Sequence, residues 1–259
     1  MNYFWRTAAV LTLGALLGCN DKPTATDSPT ATTQTPLRVA TESSFKPFSY
    51  LDNEGNLAGF EIDLANALCA QMQTTCEISS QDWDALIPAL NSGKFDAVMA
   101  GMSATPARQE VVDFSEPYFN NTLVLVGKKD ANADISQIDG KTVATQQATV
   151  SAKYLADNYP KVLVKEYGKQ DEAYLDLTAG RVDYMLSDIV PISDWLNSEA
   201  GANFAIQGAP INIDDQIAIA VKKGDNATVT KLNTALAALK QNGEYDALVA
   251  KYFTPTQNK

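Results

Sequence analysis

Chemistry in this 259-residue chain is constrained first by an absence: it contains no histidine, the commonest general base and the commonest metal ligand. No G-x-S-x-G elbow, phosphate-cradling glycine loop or calcium loop occurs either. The carboxylates are numerous but scattered, and no spacing among them pairs an acid with a base. What the sequence does offer is a guanidinium in a telling place. Thr105-Pro106 combines an N-cap hydroxyl with a first-turn proline, whose missing N–H costs nothing there, so a helix should begin at this point. Arg108 then falls in the first helical turn and Ser103 just before it, both beyond the carboxyl end of a strand over residues 95–99. Open α/β sheets bind their ligands at such ends. Histidine-dependent catalysis is excluded, and the end of this strand is where a ligand site is to be sought.

That strand belongs to a series. Residues 37–41 read as a first strand, and a helix follows over 63–72, where Leu64, Leu68 and Met72 recur every fourth residue beside Ala65 and Cys69. A strand at 77–79, a helix at 85–90 stopped by Asn91-Ser92-Gly93, and the strand at 95–99 complete the first block. The middle of the chain repeats the rhythm: strand 142–145, helix from about 151, strand 162–166, helix 171–178 stopped by Gly180, strand 182–186. Such alternation is the signature of parallel sheets with crossover helices. Apolar runs at 123–126 and 217–221 flank the second block and read as paired crossings between two lobes. Val229, Leu232, Leu236 and Leu239 form one helical stripe near the end, and Tyr245, Leu248, Val249 and Tyr252 another.

Composition narrows the class further. An apolar fraction of 45% is enough for the cores of one large or two small α/β domains. The net charge of −11, from 31 acidic against 20 basic residues, repels nucleic acid and anionic surfaces. At the start, Arg6 precedes an apolar run over 8–17 that is too short to span a bilayer, so residues 1–18 read as a signal peptide. Leu16-Leu17-Gly18-Cys19 resembles the bacterial lipobox, whose cysteine sulfur takes a diacylglycerol; a plain secreted protein with an incidental Cys19 is the alternative. Residues 20–36 carry no large apolar side chain, so 19–36 read as a lipidated cysteine and a disordered tether, spanning roughly 20–25 Å as a flexible coil. Cys69 and Cys76 are left in a compartment that permits disulfides, either bonded across the short loop between a helix end and a strand start or standing as two buried thiols.

Several blocks, in order, resemble a known family. Gly59-Phe60-Glu61-Ile62-Asp63-Leu64-Ala65, the Cys69-to-Cys76 spacing, Asp84-Ala85-Leu86-Ile87-Pro88-Ala89-Leu90, Met102-Ser103-Ala104-Thr105-Pro106-Ala107-Arg108 and Asp113-Phe114-Ser115-Glu116-Pro117-Tyr118 are similar to the polar amino-acid-binding proteins of ABC importers, solute-binding protein family 3. So are Asp176-Leu177-Thr178-Ala179-Gly180-Arg181-Val182-Asp183 and Gly243-Glu244-Tyr245. Thr41-Glu42-Ser43-Ser44-Phe45-Lys46-Pro47-Phe48 and Val98-Met99-Ala100-Gly101-Met102 look nearest to the arginine-binding and lysine/arginine/ornithine-binding members.

The resemblance implies an α/β, two-lobed type II periplasmic binding protein fold that closes on its ligand about a hinge. Residues 37–121 and 218–259 would form the first lobe and 122–217 the second. It also implies roles. Arg108 would bind a ligand α-carboxylate with its planar fork, helped by Ser103 and by the helix start around Thr149, Val150 and Ser151. Asp188 would bind the α-ammonium, with an N-cap for the next helix as its other reading. Phe45 and Trp83 would sandwich the ligand side chain, Glu42 would meet its distal cation, and Gln146 would add an amide. Ala100 and Gly101 stand where other members carry hydroxyls. The family's usual glycine-threonine-threonine run is replaced here by Ala148-Thr149-Val150-Ser151, which leaves the register there open by one residue. Together these favour L-arginine, delivered to an ABC permease by a monomeric, lipid-anchored protein outside the cytoplasm, without cofactor or metal. A sensor subunit for a receptor and a cyclohexadienyl dehydratase-type enzyme are the alternatives.

Overall fold

A computed structural model describes residues 35–253. Cys19, the apolar run before it and nearly all of the tether expected over 20–36 lie outside the described residues. Two five-stranded mixed sheets form the framework. The first has the spatial order Cys76–Ser80, Leu37–Thr41, Ala97–Val98, Ala220–Lys222, Val112–Phe114. Its first three strands are parallel, and Ala220–Lys222 runs antiparallel to both its neighbours. The second has the order Leu163–Tyr167, Thr142–Gln146, Tyr184–Asp188, Phe119–Lys128, Phe204–Ile217, again with three parallel strands followed by antiparallel pairings. A small antiparallel sheet, Ser44–Phe45, Ser49–Leu51 and Leu57–Ala58, sits beside the first.

Helices cover the faces. Phe60–Gln71 begins three residues before the start expected from periodicity, because Phe60 is itself a fully buried core residue. The turn into it needs Gly59, at φ 125°, where a Cβ would lie 2.2 Å from the Phe48 carbonyl oxygen. Asn226–Asn242 turns Leu232, Ala235, Leu236 and Leu239 into the same core, then stops at Gly243 with φ 85°. Glu244–Phe253 lays Tyr245, Leu248, Val249 and Tyr252 against it. Cys69 and Cys76 are disulfide-bonded. Closing so short a loop is worth about 2–3 kcal/mol in the chain-entropy account.

The apolar runs expected to cross between lobes need correction. Residues 123–126 are fully buried within the second sheet and Ala220 and Val221 within the first. The passage between sheets lies one step earlier, where Asn121 pairs with Asp215, Asn120 with Gln216 and Phe119 with Ile217. Phe119 and Ile217 pack into the first core and Leu123 into the second. Two antiparallel strands, broken by register shifts between Gln207 and Asp215, therefore form the connection. Among the described residues no helix is long and apolar enough to cross a membrane.

Candidate functional site

The carboxyl ends of the parallel strands of both sheets face one cleft. Leu37–Thr41 delivers Glu42, and Ala97–Val98 leads to Ala100, Gly101 and Ser103. From the other sheet, Thr142–Gln146 ends on Gln146, and Tyr184–Asp188 ends on Asp188. All twelve residues expected at the site line this cleft: Glu42, Phe45, Trp83, Ala100, Gly101, Ser103, Arg108, Gln146, Thr149, Val150, Ser151 and Asp188. Thr145, Gln170 and Ser187 join them. The cleft holds about 360 Å3 free of protein atoms, yet only about 20 Å3 in which the centre of a water molecule fits. That is room for about one water. A larger recess, about 530 Å3 against the cleft's 20 Å3 by the same measure, shares Trp83, Arg108, Thr149 and Val150 but opens among Ile87, Ala107, Val111, Ala152 and Ala156, and it lacks Glu42 and Asp188.

Thr105 caps the helix Pro106–Gln109 as its sequence requires, its hydroxyl accepting from the Arg108 N–H at 3.3 Å. The guanidinium of Arg108 makes no ion pair with Glu110 or Asp113; Asp113 is taken by Lys223 at 2.8 Å. Instead it donates to the Ser103 carbonyl at 2.9 Å and, across the cleft, to the Ala148 carbonyl at 3.0 Å, with its carbon 5.1 Å from the centre of the Trp83 ring. Burial lowers its pKa, while Asp215 and Asp188 oppose that shift. One face of Trp83 is thus stacked on Arg108.

Asp188 stands at the entry of the helix Ile189–Leu196, yet its side chain makes no cap hydrogen bond. The carboxyl is 8% exposed and its pKa rises to about 7, chiefly by burial, with repulsion from Asp215 outweighed in part by Asn121 and Arg108. Glu42 is 3% exposed and its pKa rises to about 8, again chiefly by burial, with Glu61, Asp171 and Asp188 adding to the rise. It accepts a hydrogen bond from the Gln146 amide of the opposite sheet at 3.0 Å. Gln147 to Asp84 at 3.3 Å and Lys46 to Asp194 at 3.5 Å also bridge the two sides.

The helix expected from about residue 151 starts at Val150, which fixes the register. Thr149 is its N-cap: the hydroxyl accepts from the Ala152 N–H at 3.2 Å and donates to the Gln146 carbonyl at 2.7 Å. The N–H groups of Val150 and Ser151 then open the first turn toward the cleft, where a helix N-terminus favours an anion. Ala148, just before the Thr149 N-cap, has φ 55°, a left-handed value that a Cβ disfavours by roughly 1–2 kcal/mol.

Gly101 has a reason to lack a hydroxyl-bearing side chain. At φ 60°, a Cβ there would lie 2.4 Å from the Phe45 ring, and its N–H donates to Glu61 Oε1 at 2.7 Å beneath the site. Phe45 in turn stacks on Phe48 with ring centres 5.5 Å apart. Gly101→Ser should destabilise the fold by about 2–4 kcal/mol, through left-handed strain and displacement of a buried ring, which urea denaturation would measure. An unchanged midpoint would contradict this packing.

The reading from sequence missed Asp215. It is 8% exposed, accepts from Ser103 Oγ at 2.9 Å and from Asn121 Nδ2 at 2.8 Å, and so ties the connecting strands to the site. The Ser103 hydroxyl, expected to face a ligand carboxylate, donates to Asp215 instead. Gln170 was missed too; its amide donates to the Tyr174 hydroxyl at 2.7 Å and its carbonyl accepts from Ser187 Oγ at 2.7 Å behind Asp188. A carboxylate placed just before an apolar run, as in Asp214-Asp215-Gln216-Ile217, was the available signal.

Comparison with known proteins places the chain in a family. The putative ABC transporter arginine-binding protein 2 of Escherichia coli is 36% identical over 227 residues, covering 86% of this chain and 93% of that protein. The L-arginine-binding protein of Pseudomonas aeruginosa is 36% identical over 235 residues, covering 87% and 91%. The solved structure of an ancestral arginine-binding protein bound to arginine superposes with a TM-score of 0.82 at 35% identity, covering 86% of this chain and 100% of that one. The fold is accordingly the α/β, two-lobed fold of periplasmic binding proteins. Residues 37–255 match the bacterial extracellular solute-binding proteins, family 3, and the chain belongs to that family.

Proposed function

We propose that the protein captures a cationic L-amino acid, L-arginine first, between its lobes and delivers it to the membrane subunits of an ABC importer, acting as a carrier and not as an enzyme. The observation that carries this is charge: buried Glu42 and Asp188 line one cleft with a single guanidinium, Arg108, and buried Asp215 lies close enough to act on that guanidinium. A ligand with two positive groups and one carboxylate offers an opposite charge to Arg108, to the Asp188 end and to Glu42, and reduces the net negative charge of that set. A neutral amino acid leaves a buried carboxylate unpaired, which is costly. Arg108 and the Val150 and Ser151 N–H groups take the α-carboxylate, Asp188 and Asp215 the α-ammonium, and Glu42 the distal cation, with Phe45, Trp83 and Gln146 around the side chain and Ala100 and Gly101 as its floor. The arginine-binding names of the relatives support the same choice.

The cleft is too narrow to admit an amino acid as it stands, so entry requires the lobes, 37–121 with 218–259 and 122–217, to part about the connecting strands near Asn121 and Asp215. The protein works as a monomer held to the membrane through Cys19. Isothermal titration tests the ligand: strong heat with L-arginine, weaker with lysine and ornithine, and none with glutamate is expected. A signal confined to neutral or acidic amino acids would overturn the reading. Asp215→Asn should weaken arginine binding about tenfold while the protein stays folded, because it removes one of two charges near the α-ammonium without leaving Ser103 and Asn121 unpartnered. Titration of that variant measures it.

A further inference from the structure

Beyond Glu42 the cleft does not end. A second chamber of about 200 Å3 shares Glu42 and Trp83 with it and is otherwise lined by Ser43, Ser44, Ser80, Gln81, Asp82 and Lys169. Both sheets contribute: Lys169 follows the second sheet's strand Leu163–Tyr167, and the rest belong to the first sheet and its neighbours. The lining is hydroxyl and amide with two carboxylates, Glu42 and Asp82, against one ammonium, Lys169, so it offers hydrogen bonds in a mildly acidic setting. Its position is what matters. With the α-carbon of a ligand fixed by Arg108 and Asp188 and its distal cation at Glu42, the next space along the side chain is this chamber.

The partition between the two cavities is made of side chains. Glu42 accepts from the Gln146 amide at 3.0 Å, and the same amide donates to the Gly168 carbonyl at 3.2 Å. A guanidinium that bonds to Glu42 shares its carboxylate with that amide, and Glu42 itself is a wall of both cavities. Resting on the arginine reading above, we propose that the site also accepts L-arginine carrying a small neutral polar substituent on a terminal guanidinium nitrogen, with the substituent seated in the chamber among Ser43, Ser44 and Ser80. Acidic substituents are disfavoured by Glu42 and Asp82, and apolar ones by the polar lining.

The test compares L-arginine, Nω-(2-hydroxyethyl)-L-arginine and Nω-propyl-L-arginine by isothermal titration on the parent protein and on Ser80→Phe. Ser80 ends an exposed strand edge and does not line the first cavity, so this variant fills the chamber alone. The hydroxyethyl compound should bind within about tenfold of arginine, and the propyl compound, of the same length, at least about tenfold more weakly than the hydroxyethyl one. Ser80→Phe should weaken the hydroxyethyl compound by about tenfold or more while arginine stays within about threefold. Hydroxyethyl binding about 100-fold weaker than arginine, no difference from the propyl compound, or equal losses for both ligands in Ser80→Phe would each overturn the proposal while leaving arginine capture intact. Failure of arginine itself to bind the parent protein would remove the underlying reading and this one with it.

Discussion

Arg108→Ala should raise the dissociation constant for L-arginine by about 100- to 1,000-fold, measured by titration at pH 8. Two losses combine. The ligand carboxylate loses a planar, desolvated fork, and Asp188 loses the positive charge that opposes the rise of its pKa, which makes its ionised form costlier. Arg108→Lys should recover only part of the loss, because an ammonium cannot hold the Ser103 carbonyl and a carboxylate in one plane. Thermal melting separates this from misfolding: the variant should unfold cooperatively and simply fail to gain stability from added arginine. Retained affinity in a folded Arg108→Ala protein would refute the assignment of the carboxylate end.

The second large effect is on pH. Glu42, with its pKa at about 8, and Asp188, at about 7, must both be ionised to hold a cation, so below those values binding displaces protons. Affinity for arginine should therefore fall as the pH drops from 8 toward 6, approaching tenfold per unit for each group. Stability without ligand runs the opposite way. A carboxyl whose folded pKa lies above its unfolded value stabilises the fold at low pH, and that contribution is lost as the pH rises through the folded pKa. Glu61, at about 7, adds to the same trend. The ligand-free protein should melt at a lower temperature at pH 8.5 than at pH 6, and saturating arginine should narrow the gap. Glu42→Gln should melt higher than the parent at pH 8.5 yet bind arginine at least about 30-fold more weakly, with a shallower pH slope. A flat melting profile from pH 6 to 8.5 would contradict the burial of these carboxyls.

Local signals in the sequence carried the parts of the site that local physics determines. Thr105-Pro106 announced a helix start, and the helix places Arg108 where its neighbours imply. The strands expected at 37–41, 77–79, 95–99, 142–145, 162–166 and 182–186 have their ends within two residues of those bounds, while Val112–Phe114 and the long Phe204–Ile217 were not expected. Tyr184–Asp188 runs two residues later than its apolar pattern indicates, because Val182 belongs to the core as a turn residue and the strand's last hydrogen-bonded register, Asp188 to Leu123, lies at the cleft. What could not be read was contact at long range. Asp215 meets Ser103 across 112 positions of sequence, and only the pairing of two distant strands brings them together. The same holds for the Trp83 face that Arg108 covers, since stacking depends on where two separate helices point. Helix entry at Phe60 was hidden for another reason: a close backbone approach at Gly59 allows a buried ring to begin a helix.

Strand Ala220–Lys222 occupies an interior place in the first sheet, between Ala97–Val98 and Val112–Phe114. Everything needed for the second sheet, by contrast, has been made by Ile217. A chain leaving its source amino end first thus presents a half that has to wait, its middle row vacant, while the later half completes itself. Such distant pairing is slow to form. The first sheet can therefore close only after residues 220–222 have been made.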